Sequence, residues 1–271
     1  CNNNTSNGAG SGYYGGGAAQ NSSGAGGSGY FNMSYITNGE MYGYNVTATI
    51  NEYVNNILVK KDDFIIAEDG ETFNIINDAV KYLQDNYEGK GKLTFFKDAT
   101  INESSTIAAN TEIELDLAGF EVKTTQNIIN NGKLTISDSS TNHTGIINNT
   151  KNSAISNNGN LILDENVHIT SATNAIYSST SNTSIEVKDG CVLNGSYGIK
   201  TDSSANNATI TVTNSTINGT SGGMDIDGYH TTLTLTNVDV NKDSNGEYGV
   251  SISGSSGSNV SNFTITGGTI R

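Results

Sequence analysis

Pairs of apolar residues flanking one polar residue recur along the second half of the chain. They are Leu134/Ile136, Leu161/Leu163, Ile185/Val187, Ile210/Val212, Leu233/Leu235 and Phe263/Ile265. Their first members lie 27, 24, 25, 23 and 30 residues apart. A second apolar burst follows most pairs, at Val167/Ile169, Cys191/Leu193, Ile217, Val238/Val240 and Ile270. A third falls at Ile155, Ile176, Ile199, Met224/Ile226 and Val250/Ile252. Period-two spacing puts both members of a pair on one face of a strand. A repeat in the twenties with three short strands marks a solenoid. One coil alone cannot bury its inner face, whereas stacked coils share a continuous core. The expected fold is therefore all-β, with three short strands per coil. Seven or eight coils at about 4.8 Å each make a rod roughly 35–40 Å long.

Composition agrees with that plan. Only 34% of residues are hydrophobic and 15% charged. Gly, Asn, Ser and Thr take the remaining share, and these are turn and β-surface residues. There is no Pro to interrupt a hydrogen-bond ladder. The net charge of −14 would repel a polyphosphate, which excludes nucleic acid as a partner. Cys1 and Cys191 form no disulfide framework. The start CNNNTS is what a processed bacterial lipoprotein would show, and a fragment boundary explains Cys1 equally well.

NNGKLTISD, NNGNLILDENVHIT and FTITGGTI resemble coils of right-handed parallel β-helices. More narrowly, they resemble the pectate-lyase-type repeats of adhesin-like surface proteins of Gram-positive bacteria. The resemblance covers residues 64–271 and implies a short helix over the open N-terminal end. ETFNIINDAVKYLQDN fits, with Phe73, Ile76, Val80 and Leu83 at helical spacing, and predicts that helix over about 71–87. No such segment precedes GGTIR, so the rod is expected to continue beyond Arg271.

Residues 1–45 form a separate glycine-rich segment, and 46–63 read as a connector strand. Tyr13, Tyr14, Tyr30, Phe31, Tyr35, Tyr42 and Tyr44 argue against a plain linker. YYGGG and GAGGSGYF resemble the glycine-rich domain of bacterial surface and phage tail proteins. That resemblance implies closely packed extended glycine helices.

Enzymes on right-handed β-helices cluster carboxylates with a basic residue on one outer sheet. The nearest match is GMDIDGYH, with Asp225 and Asp227 on one strand face and His230 across the turn. The same alternation is the ordinary outer face of a strand, and no further polygalacturonase motif surrounds it. NKDSNGE offers Asn241, Asp243 and Asn245 as the front of a Ca²⁺ loop. The expected twelfth-position acid is Ile252, so turn chemistry explains it better. Neither catalysis nor a cofactor is expected. Cys191 should be an inert inward filler, Asp189-Gly190 a corner, and Lys200 an outward residue.

The expectation is an extracellular, non-enzymatic rod at a bacterial cell surface, binding a glycan or a surface protein. The alternative is a phage tail fibre on the virion, which would run as a homotrimer. A polysaccharide lyase or hydrolase is the third reading.

Overall fold

The computed structural model describes residues 51–54, 57–60, 62–253 and 261–271. The glycine-rich segment, Cys1 and residues 46–50 of the connector lie outside the described residues. Strands β1 (Asn51–Val54) and β2 (Ile57–Lys60) pair antiparallel. Strands β3 (Ile65–Ala67) and β4 (Thr72–Phe73) also pair antiparallel, and helix α1 (Ile76–Asn86) follows.

A parallel β-solenoid of about seven turns comes next. Coil 1 holds β5 (Lys90–Phe95), β6 (Ala99–Ile101) and β7 (Ser105–Ile107). Coil 2 holds β8 (Glu112–Asp116), β9 (Glu121–Thr124) and β10 (Ile128–Asn130). Coil 3 is β11 (Lys133–Ser137), β12 (Ile146–Asn149) and β13 (Ile155–Asn157). Coil 4 is β14 (Asn160–Leu163), β15 (His168–Ser171) and β16 (Asn174–Ser178). Coil 5 contains β17 (Ser184–Val187), β18 (Val192–Gly195) and β19 (Tyr197–Thr201). Coil 6 contains β20 (Thr209–Thr213), β21 (Thr216–Gly219) and β22 (Gly222–Asp227). In coil 7, β23 (Thr232–Lys242) runs through two faces before β24 (Tyr248–Ser253). Strand β25 (Asn262–Ile270) opens the next winding and pairs with β23.

Each face is a parallel ladder without a register slip. On the first face, Leu134, Leu161, Ile185, Ile210, Leu233 and Phe263 lie opposite one another in succession. Ile136, Leu163, Val187, Val212, Leu235 and Ile265 form the neighbouring column. The second face stacks Val122, Ile147, Ile169, Leu193, Ile217 and Val240. The third stacks Ile128, Ile155, Ile176, Ile199 and Met224. These columns form one buried core. The last members depart from the expected core: Phe263 and Ile265 are 44% and 41% exposed. They hold the register, but among the described residues no strand pairs with the far edge of β25.

Helix α1 buries Ile76, Ala79, Val80 and Leu83 against β3, β4, β5 and β7. It begins later than the helical spacing predicts. Phe73 is held in β4, where the Phe64 N–H donates to its carbonyl and Thr72 bonds to buried Asp63. Antiparallel pairing therefore outcompetes the first helical turn. Leu83 sits over Gly91, where an added Cβ would lie 2.9 Å from its Cδ2. The helix thus fills the first slot of the column that continues through Ile113 to Leu134.

Corners use left-handed backbone. Asn110, Asn182, Asn207 and His230 have φ of 63°, 61°, 57° and 54°, each two residues before a first-face strand. Short Asx side chains tolerate that conformation best. One inner corner is polar: buried Asn130 donates to the Asn157 side-chain carbonyl at 2.8 Å and to the Asn160 backbone carbonyl at 2.9 Å. These amides satisfy backbone groups that the sharp bend would otherwise leave unpaired.

Candidate functional site

The corner joining the second and third faces shortens and lengthens again along the chain. Residues 150–154 make that corner in coil 3, 172–173 in coil 4 and 196 alone in coil 5. It lengthens again to 220–221 in coil 6 and 243–247 in coil 7. Short corners between longer ones leave a saddle. A groove of about 450 Å³ runs there along the rod axis. Coils 4 to 7 line it with the same three register positions: Thr170–Ala172, Asn194–Ser196, Asn218–Thr220 and Asn241–Asp243.

Glycine makes the sharpest bends possible. An added Cβ at Gly195 would sit 2.5 Å from the Tyr197 carbonyl oxygen, and at Gly219 1.7 Å from that of Gly222. Neither position has left-handed backbone, so the reason is close approach of chain to chain. Ser171 occupies the corner in coil 4 and Lys242 in coil 7.

One wall is a chain of side-chain amides. The Asn241 amide donates to the Asn218 carbonyl oxygen at 3.0 Å, and Asn218 donates to Asn194 at 2.8 Å. Asn194 donates to the Thr170 hydroxyl at 3.2 Å. Each link uses one N–H of an amide that carries two, along with one acceptor position of an oxygen that carries two. Polar capacity therefore faces the groove in every coil. Among the described residues, Lys242 and Asp243 are the charged ones in the lining, adjacent and of opposite sign.

Around the corner, Tyr197 and Tyr248 stack at 6.4 Å across Gly222. The Lys200 ammonium lies 4.5 Å from the Tyr197 ring centre and pairs with Asp225. Burial first, then the Tyr197 hydrogen bond and the Asp225 charge, push the Tyr248 hydroxyl well above its ordinary range.

The residues singled out for catalysis are placed separately. Asp225 points outward from β22 into the Lys200 pair. Asp227 accepts the Gly228 N–H at 2.8 Å, and its backbone is bonded in both directions to the Thr201 hydroxyl. His230 fills the corner slot that Asn182 and Asn207 hold in the preceding coils. The suggested metal ligands also divide: Asn241 belongs to the amide chain, while Asp243 accepts the Ser244 N–H at 2.6 Å. Asn245 is exposed in the same turn. Among the described residues, no group of three or more His, Cys, Asp or Glu is arranged to hold a metal ion.

Cys191 is fully buried, its thiol donating to the Asp164 carbonyl at 3.0 Å. Burial pushes that thiol up to about 11. Gly190 is a left-handed corner at φ 76°. The spacing of apolar bursts does not reveal the groove. Its one sequence signal is the shrinking interval between second and third strands at Gly195-Ser196-Tyr197.

Comparison with protein-family models, curated proteins and solved structures found no match.

Proposed function

We propose that the chain is an extracellular, non-enzymatic rod of the adhesin-like surface type, with a right-handed, pectate-lyase-like winding. It acts as a stalk and binding module for a glycan or a surface protein at a bacterial cell surface. The observation that carries this reading is the outer side of the ladder. Seven coils keep one register and present amides, hydroxyls and satisfied ion pairs, with Asp225 engaged by Lys200. A parallel ladder paired on both sides through its interior coils offers a protease no loose strand there, which suits exposure outside a cell.

The test is to display the protein on beads and measure adhesion to surfaces coated with glycans or cell-surface proteins. In parallel, the protein is incubated with acidic and neutral polysaccharides and assayed for reducing ends and unsaturated products. Adhesion without product is expected. Product formation abolished by Asp225→Ala and Asp227→Ala would overturn the reading in favour of a lyase or hydrolase. A trimer in light scattering would favour the tail-fibre reading.

A further inference from the structure

We infer that the groove across coils 4 to 7 is a binding site for an extended, uncharged polysaccharide lying along the rod axis. The inference rests on the binding-module reading and adds a site, an orientation and a ligand class. Four observations converge on it.

The lining repeats. Each coil contributes one strand residue, one corner residue and the residue after it at the same register, the last being small in coils 4 to 6 and Asp243 in coil 7. A site periodic along an axis matches a ligand periodic along that axis. Four coils span three steps of about 4.8 Å, or about 14 Å.

Backbone recognition is closed. Strands β15, β18, β21 and β23 are paired to one another in parallel register. No free strand edge lies within the groove, so an extended peptide could not add as a strand there. Only side chains can recognise a ligand. They are three carboxamides, the hydroxyls of Thr170, Ser196 and Thr220, and the neighbouring Lys242 and Asp243 at one end, Ser171 being buried and bonded within the corner.

That chemistry selects hydroxyl groups. A sugar hydroxyl donates once and accepts twice, and an Asn amide offers both roles beside its ladder bond. Among the described residues, aromatic and large aliphatic side chains are missing from the lining, which disfavours an apolar peptide or a lipid tail. The adjacent opposite charges of Lys242 and Asp243 and the net charge of −14 disfavour a polyanion.

The site is also preorganised. The amide chain fixes each Asn before a ligand arrives, and glycine corners leave little to reorganise. Binding then loses little side-chain freedom.

The experiment titrates the full chain by affinity electrophoresis and calorimetry. Dextran, laminarin and mannan are the neutral probes; polygalacturonate and hyaluronate are the anionic ones. Asn194→Leu/Asn218→Leu removes the amide wall, and Thr211→Leu makes a comparable change on the first face. At least one neutral polymer should bind, and the double variant should weaken it by about tenfold or more. Thr211→Leu should bind normally, and all variants should melt cooperatively. For the polymer that binds, affinity should climb with oligosaccharide length and level off once about 14 Å is spanned. Unchanged binding in the double variant would place the glycan elsewhere, overturning this site while the rod reading stands. Preference for the anionic polymers, or no binding to any neutral one, would overturn the ligand class. Bead adhesion would still decide the rod reading separately.

Discussion

At its N-terminal end the rod is closed by Leu83 of α1 lying over Gly91, and every apolar column behind it is buried. At the C-terminal end the same columns run out through Phe263, Ile265 and Ile270, which stay 41–44% exposed. The backbone plan is shared, as is the alternation of side chains. Burial in a solenoid is therefore conferred by the neighbouring winding, not by the residue. The outer sides differ too. Near α1 the strands carry Lys92 between Glu114 and Asp116, and Lys133 beside Glu112. Toward β25 they carry Thr209, Thr211, Thr232, Thr234 and Thr264 on one face and the Asn chain on another. Ion pairs cluster near the capped end and recur singly in later coils as Lys188–Asp164 and Lys200–Asp225, while neutral hydrogen-bonding groups dominate the first face toward β25.

The contrast in burial is the easiest to break. Leu161→Ala should cost about 2–5 kcal/mol, because a cavity opens between two coils. Phe263→Ala, although it removes a larger side chain, should cost less than about 1 kcal/mol. Urea midpoints of the two variants test this directly, and equal losses would mean that the β25 end is covered in solution.

The contrast in charge comes next. Asp116 is buried and accepts N–H bonds from Ala118 and Ser139 at 2.9 Å, besides its Lys92 pair. Burial alone would raise its pKa, but the bonds from Ser139 and Lys92 outweigh burial and hold it below the ordinary value. Asp116→Ala should cost about 3 kcal/mol near neutral pH. A lowered carboxylate stabilises above its unfolded value near 3.9 and loses that contribution as pH falls through the folded value. The stability gap between native and variant protein should therefore be flat at neutral pH and shrink in acid, read by thermal melts across pH.

Smaller effects belong to the corner and the interior filler. Gly219→Ala should cost about 2 kcal/mol, since its Cβ must displace the backbone that shapes the groove. Cys191→Ala should cost about 1 kcal/mol. The native thiol should resist a disulfide exchange reagent at pH 8 until the protein unfolds, because burial holds it protonated.

Much of this architecture is legible in the chain. Leu134 to Leu235 announce their own stacking because period-two alternation and a steady repeat describe local and inter-coil geometry together. The buried amides Asn130 and Asn157 are not legible, since an inward Asn reads like any corner Asn until its carbonyl partners are known. The helix start is blurred for a related reason: Phe73 suits a helical stripe and a strand equally, and pairing with β3 decides. His230 attracted a chemical reading by its residue type, whereas its corner register shows a conformational role. The groove was hidden because it depends on relative corner lengths in successive coils, and apolar periodicity does not encode those.

The central claim is that successive windings pile up at strand spacing. Spin labels in pairs at Thr135–Thr211, Thr135–Thr234 and Thr135–Thr264 test it, since these residues are linked through the register of the first face. With Cys1 and Cys191 replaced, electron-spin distance measurements should give backbone separations near 14, 19 and 24 Å, rising by about 4.8 Å per coil. Separations that fail to rise in equal steps would contradict the stack, and with it the groove and the proposed function.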